Sequence, residues 1–178
     1  CTFMELNFNW SKVNSSANLA SWLQDKEREV RSITAHNTSE SDVTFGKHQP
    51  GGTGMICRHE FILYARTPSV DPRGLGRWCS WPFSCNPTHV TRIVVAYRPS
   101  QWRSQGLKTI YQQHMRYIQL RGLTTDPTTL FDTDLVQQIK EWRGAGERIV
   151  LAIDVNSHPL YNNLYRQLKA KGTEMEEF

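Results

Sequence analysis

Residues 149–153 in the stretch IVLAIDVNSHP form an unbroken apolar run that leads straight into Asp154, Asn156 and His158. A run this short, rich in β-branched residues and closed by Pro159, reads as a strand. Its polar carboxyl end has two readings. Asp and Asn end strands by hydrogen-bonding their own backbone, which makes the end a turn. Alternatively, it is a site on the rim of a sheet. Side chains alternate along a strand, so positions 154 and 156 face one way, ~7 Å apart. An acid there can hold a metal or take a proton from water, and an amide can donate to a phosphate oxygen. His158 is notable by position only.

The rest of the chain supplies partners for that strand. TFMEL is a short strand carrying Glu5 at its carboxyl end, and residues 14–30 read as a capped amphipathic helix with Leu19, Trp22 and Leu23 on one stripe. Residues 36–52 are polar and turn-rich, hence a loop. TGMICRHEFILYA reads as two strands with a turn between them, and RWCSWPF as a strand that ends, or lies at an edge, at Pro82. HVTRIVVAYRP is β-branched and ends in Tyr97, Arg98 and Pro99. Two helices follow, the first with Ile110, Met115 and Ile118 on its inner face and Gly122 at its end. The second places Leu135, Ile139 and Trp142 at spacings of four and three. A last helix carries Leu160, Leu164 and Leu168. Strands and helices in this order specify a layered α/β or α+β architecture.

The chain has 178 residues, of which 38% are hydrophobic and 21% charged, and these proportions support one domain with a core. A net charge of +4 suits a polyanionic partner without requiring one. The cysteines at 1, 57, 79 and 85 form no CxxC pair and have no histidines at zinc-finger spacing, so a reducing compartment is expected, with Cys57 a buried thiol in a strand. No apolar run approaches ~18 residues, and no membrane association is expected. QPGGTGMI lacks the lysine and hydroxyl of a phosphate-binding P-loop and the GxGxxG of a dinucleotide site, and reads as a tight turn entering a strand. The histidines do not cluster, and no Ser/His/Asp triad can be assigned.

Two further strand ends carry chemistry. Glu5 can bind a hard cation through oxygen. The Tyr97 hydroxyl can donate to a phosphate, and Arg98 can clamp one. Each of these, alone, is also an ordinary surface group. Together with Asp154 and Asn156 they place oxygen ligands and phosphate donors on one rim, provided the strands are neighbours.

In that order, FMELNFNW, GGTGMI, RWCSWPF, IVVAYRP and IVLAIDVN resemble the endonuclease/exonuclease/phosphatase superfamily, and within it the endonuclease domains of LINE-type retrotransposons and the apurinic endonucleases. The resemblance implies a DNase-I-like fold, a four-layer α/β/β/α sandwich of two mostly antiparallel sheets. It further implies hydrolysis of DNA phosphodiesters with Mg²⁺ or Mn²⁺. Glu5 would be the metal ligand, Tyr97 would sit over the scissile phosphate, Asp154 would position or deprotonate water, and Asn156 would orient both. DNA, gripped through its phosphates, is the implied partner, with no obligate protein partner, and the implied location is intracellular, nuclear for a retroelement. Met4 stands where the family has Gln, and Ile153 where it has Gly. The family's Asn-bearing first strand and closing Asp–His pair are not recognised in 1–178. The sequence is therefore read as one partial domain, weak or inactive alone. A non-catalytic remnant that binds nucleic acid, and a phosphatase of the same fold, stay open.

Overall fold

The structure, a computed structural model, describes residues 1–12, 19, 21, 29–39, 43–86, 88–100, 106, 108–156, 163–170, 173 and 175. The expected helix at 14–30 and the segment around His158 lie largely outside them. The described strands are β1 (Thr2–Met4), β2 (Val30–Ala35), β3 (Thr53–Arg58), β4 (Ser69–Val70), β5 (Trp78–Asn86), β6 (His89–Tyr97) and β7 (Arg148–Asp154). The helices are α1 (Phe61–Tyr64), α2 (Ile110–Leu120), α3 (Pro127–Gly144) and α4 (Asn163–Lys169).

The strands make two sheets, one ordered β1-β3-β2 and the other β4-β5-β6-β7. All pairings are antiparallel except β6 with β7. A parallel pair needs a long crossover, and α2 and α3 supply it. Alternation then sorts the side chains into layers. Trp78, Val94 and Ala96 point to one face of the larger sheet, where they pack on Phe131, Leu135, Ile139 and Trp142 of α3 and Leu164 and Leu168 of α4. Cys79, Trp81 and Val95 point to the other face and meet Ala35, Met55 and Cys57 of the smaller sheet. Val30 and Ile56 lie on the smaller sheet's outer face, with Phe3 and Leu19 packed against them. The result is a helical layer on two sheets face to face.

Three expectations change. Residues 31–35, with Val30, form a strand, since Ile33 and Ala35 reach the inter-sheet core while Arg31 stays exposed. FILY is one helical turn, not a second strand. The chain reverses at His59, whose φ is 54, and Ile62 and Leu63 donate back to the carbonyls of His59 and Glu60. Pro82 does not end its strand. Its carbonyl accepts from the Arg66 N–H at 2.9 Å on the side away from β6, so the missing proline N–H removes no bond to β6.

Ion pairs fasten the loop before β5 to α3. Arg77, fully buried, grips Asp71 at 2.6 Å and reaches Asp134 at 2.9 Å, and Arg73 holds the same Asp134 at 2.5 Å. Removing one partner would leave a buried charge uncompensated.

Candidate active site at the rim between the sheets

The carboxyl ends of β1, β6 and β7 meet at one rim. Tyr97 and Asp154 are paired neighbours in the parallel ladder, both on the face turned toward the smaller sheet. Ladder partners project to the same face, so this register sets an acid beside a phenol.

Beyond Asp154 the strand stops. Asp154 Oδ1 accepts the backbone N–H of Asn156 at 3.0 Å, an Asx turn, and Asn156 takes a left-handed φ of 49. Strand alternation therefore does not place Asn156. The turn folds it back so that its Nδ2 donates to the Arg98 carbonyl at 2.7 Å, which brings the amide beside the Tyr97 hydroxyl. Val155 packs toward the helical core, as alternation requires. The turn and site readings of this stretch are thus both realised.

Glu5 arrives from the other sheet. Phe3 lies on that sheet's outer face, and regular alternation would put Glu5 there too. Instead the backbone leaves the strand at Glu5, with φ 53, and again at Asn7, with φ 52. Non-glycine residues rarely adopt this region, and such strain persists only where surrounding bonds enforce it. Here they do. Leu6 and Asn7 donate to the carbonyls of Gly52 and Gly51 at 3.2 and 2.8 Å, and Asn7 Oδ1 accepts the Gly51 N–H at 2.9 Å. The PGG segment is the turn expected from sequence, entering β3, and its further effect is to aim Glu5. The Glu5 carboxylate stands close enough to the Tyr97 hydroxyl to bear on its titration.

Tyr97 is only 6% exposed. Burial, then the neighbouring Glu5 carboxylate, push its phenol well above the ordinary range, against a smaller opposing pull from Asn156. It stays protonated and acts as a donor. Asp154 keeps Oδ2 without a hydrogen-bond partner among the described residues.

Arg98 departs from expectation. Its guanidinium grips both oxygens of Asp132 on α3, at 2.7 and 2.9 Å, and both side chains are 5% exposed. It ties the end of β6 to the helical layer and is committed there, not to a phosphate at the rim. Sequence spacing gave no signal of Asp132 as its partner.

A cleft of about 380 Å³ opens at the rim, lined by Glu5, Asn7 and Tyr97 and, among others, by Pro50, Ile110 and Tyr111. Asn7 lies within the FMELNFNW motif and Ile110 on the expected inner face of its helix, but the sequence gave neither a role at the site.

Among the described residues no group of three or more His, Cys, Asp or Glu gathers to cage a metal. Mg²⁺ does not require such a cage. It keeps several waters and binds through one or two carboxylates plus substrate phosphate oxygens. Glu5 and Asp154, both acting on the same phenol, are a donor set of that kind.

No family model matches the sequence, and no curated protein matches it. Among solved structures, the human Nocturnin catalytic domain with bound sulfate anion is similar in fold. Its TM-score is 0.52 at 11% identity, and the match covers 97% of this chain and 70% of that one. The chain has a DNase-I-like fold, an α/β architecture with two sheets face to face.

Proposed function

We infer that this chain is a phosphoester hydrolase domain of the DNase-I-like kind, acting on phosphodiesters of DNA with Mg²⁺ or Mn²⁺. One observation carries the reading. Glu5 of one sheet and Asn156 and Asp154 of the other converge on the Tyr97 hydroxyl and all act on it. That the similar Nocturnin structure holds a sulfate, a tetrahedral oxyanion like phosphate, supports an oxyanion site on this fold.

The residues divide the work. Glu5, with Asp154 close by, would hold the cation, which when bound would neutralise charge on the phosphate. Asp154 Oδ2 takes a proton from water as the water oxygen bonds to phosphorus and the leaving alkoxide departs, to be protonated by solvent. The Asn156 amide orients the phosphate, and the Tyr97 hydroxyl donates to a non-bridging oxygen as charge builds there. Arg98 has no direct part in this scheme. It holds the Tyr97 end of β6 still through Asp132.

The retroelement endonuclease reading, with nuclear DNA as target, is the finer proposal and rests on the order of the motifs. The test is nicking of supercoiled plasmid by the chain with Mg²⁺. Nicking, weak for these 178 residues alone, is expected to need the metal and to be lost in Asp154→Ala and Glu5→Ala. A folded protein that never nicks would refute it.

A further inference from the structure

The α2 wall of the cleft has no task in the scheme above, yet it is built with care. Gln113, 4% exposed, donates through Nε2 to the carbonyls of Pro50 and Lys108, both at 3.1 Å. Its Oε1 accepts from Asn37 at 3.0 Å and from Gln49 at 3.4 Å. Gly51 lies so close to Ile110 that an added Cβ would sit 3.2 Å from its side chain. The first turn of α2 is thereby bolted to the PGG turn, and the PGG turn to Asn7 and the Glu5 segment. The wall and the acid are held as one rigid frame.

That wall presents Tyr111 and Ile110 beside Pro50, with the exposed cation of Lys108 next to them. An aromatic ring flanked by apolar atoms and one ammonium group is what a nucleotide requires. The base stacks on the ring, and the adjoining phosphate meets the charge. At about 380 Å³ the cleft is at the small end of ligand sites, which run from about 300 to 1,000 Å³. That is room on the scale of a single nucleotide.

We propose that the α2 side of the cleft is a subsite for one unpaired nucleotide, its base stacked on Tyr111 and its flanking phosphate paired with Lys108. The protein therefore prefers single-stranded or locally unpaired DNA to intact duplex. The class of ligand rests on the phosphodiesterase reading of the neighbouring rim.

The test is fluorescence anisotropy of the whole chain with a labelled oligothymidine and with a labelled blunt duplex of equal length, both in EDTA so that no cleavage occurs. Single strand binds at least about fivefold tighter. Tyr111→Ala weakens single-strand binding on the order of 5- to 150-fold, the range of one base stack, and changes duplex binding less than about twofold. Tyr111→Leu, which keeps an apolar side chain, carries the same expectation if alanine unfolds the chain. Lys108→Ala lowers the slope of log affinity against log salt by about one. Unchanged single-strand affinity in the folded Tyr111 variants, or an equal loss for duplex, overturns the subsite. A Tyr111-dependent preference in a protein that never cleaves DNA leaves the subsite standing and removes the nuclease reading. Cleavage whose KM is indifferent to Tyr111 does the reverse.

Discussion

Asn156 does two things at once, and they can be separated by mutation. Its left-handed backbone closes the turn after β7, and its amide donates to the Arg98 carbonyl beside the Tyr97 hydroxyl. Glycine accepts a φ of 49 without a Cβ penalty, whereas alanine does not. Asn156→Gly should therefore lose only the amide's hydrogen bond to the Arg98 carbonyl, about 1 kcal/mol, while turnover falls about 10- to 100-fold. Asn156→Ala should lose the same activity and, in addition, about 1 kcal/mol of stability. Thermal melts paired with initial rates check the split, and equal activity in the parent and Asn156→Gly would show that the amide does no chemistry. At this scale the sequence was half legible. The residue types at 5, 97, 154 and 156 announced their chemistry, but the reason they converge did not. Alternation predicts the placement of Tyr97 and Asp154, but not that of Glu5 or Asn156, which depend on positive φ angles set by distant hydrogen bonds. Arg98 read equally well as a phosphate clamp, because its partner Asp132 lies 34 residues away with no pattern joining them.

Elements with a strong period were legible and those without were not. β6 and β7 are β-branched runs and α3 has a clear apolar stripe, so local pattern and tertiary burial agree. β2 has one strongly apolar residue at its centre, Ile33, and is a strand because β3 pairs with it along its whole length. FILY has the composition of a strand but is a turn of helix, because His59 reverses the chain ahead of it. The PGG turn shows how a connecting element reaches the site. Gly52 has φ 89, and an added Cβ would stand 2.9 Å from the Ala35 carbonyl oxygen. Gly52→Ala should cost roughly 1–3 kcal/mol and, because Leu6 bonds to this turn, reduce activity more than the lost stability explains. Denaturant unfolding and rates measured well below the melting temperature separate the two effects. A variant with parent-like activity would show that the turn does not aim Glu5.

Across the whole molecule, stability should fall in acid for an identifiable reason. His114 on α2 is 3% exposed, and burial, followed by the Arg77 charge, lowers its pKa to about 3 against a weaker opposing effect from Asp71. The unfolded chain takes up this proton near pH 6.5 and the folded chain only near 3. The unfolded state therefore binds more protons between those values, and stability drops as pH falls through that window. Each pH unit inside it costs about 1.4 kcal/mol from this group. Chemical denaturation from pH 7 to 4 should show the decline, and a folded His114→Gln should show a shallower one. An unchanged slope would assign the acid sensitivity elsewhere.

The sandwich exists, on this account, to bring Glu5 from one sheet to Tyr97, Asp154 and Asn156 of the other. The most direct measurement is hydrolysis of bis(4-nitrophenyl) phosphate in Mg²⁺ by the parent chain and by Asp154→Ala, each confirmed folded. Diester cleavage by the parent and a loss of at least about 100-fold in the variant are expected. Equal rates in the two proteins, or cleavage of 4-nitrophenyl phosphate monoester alone, would contradict it.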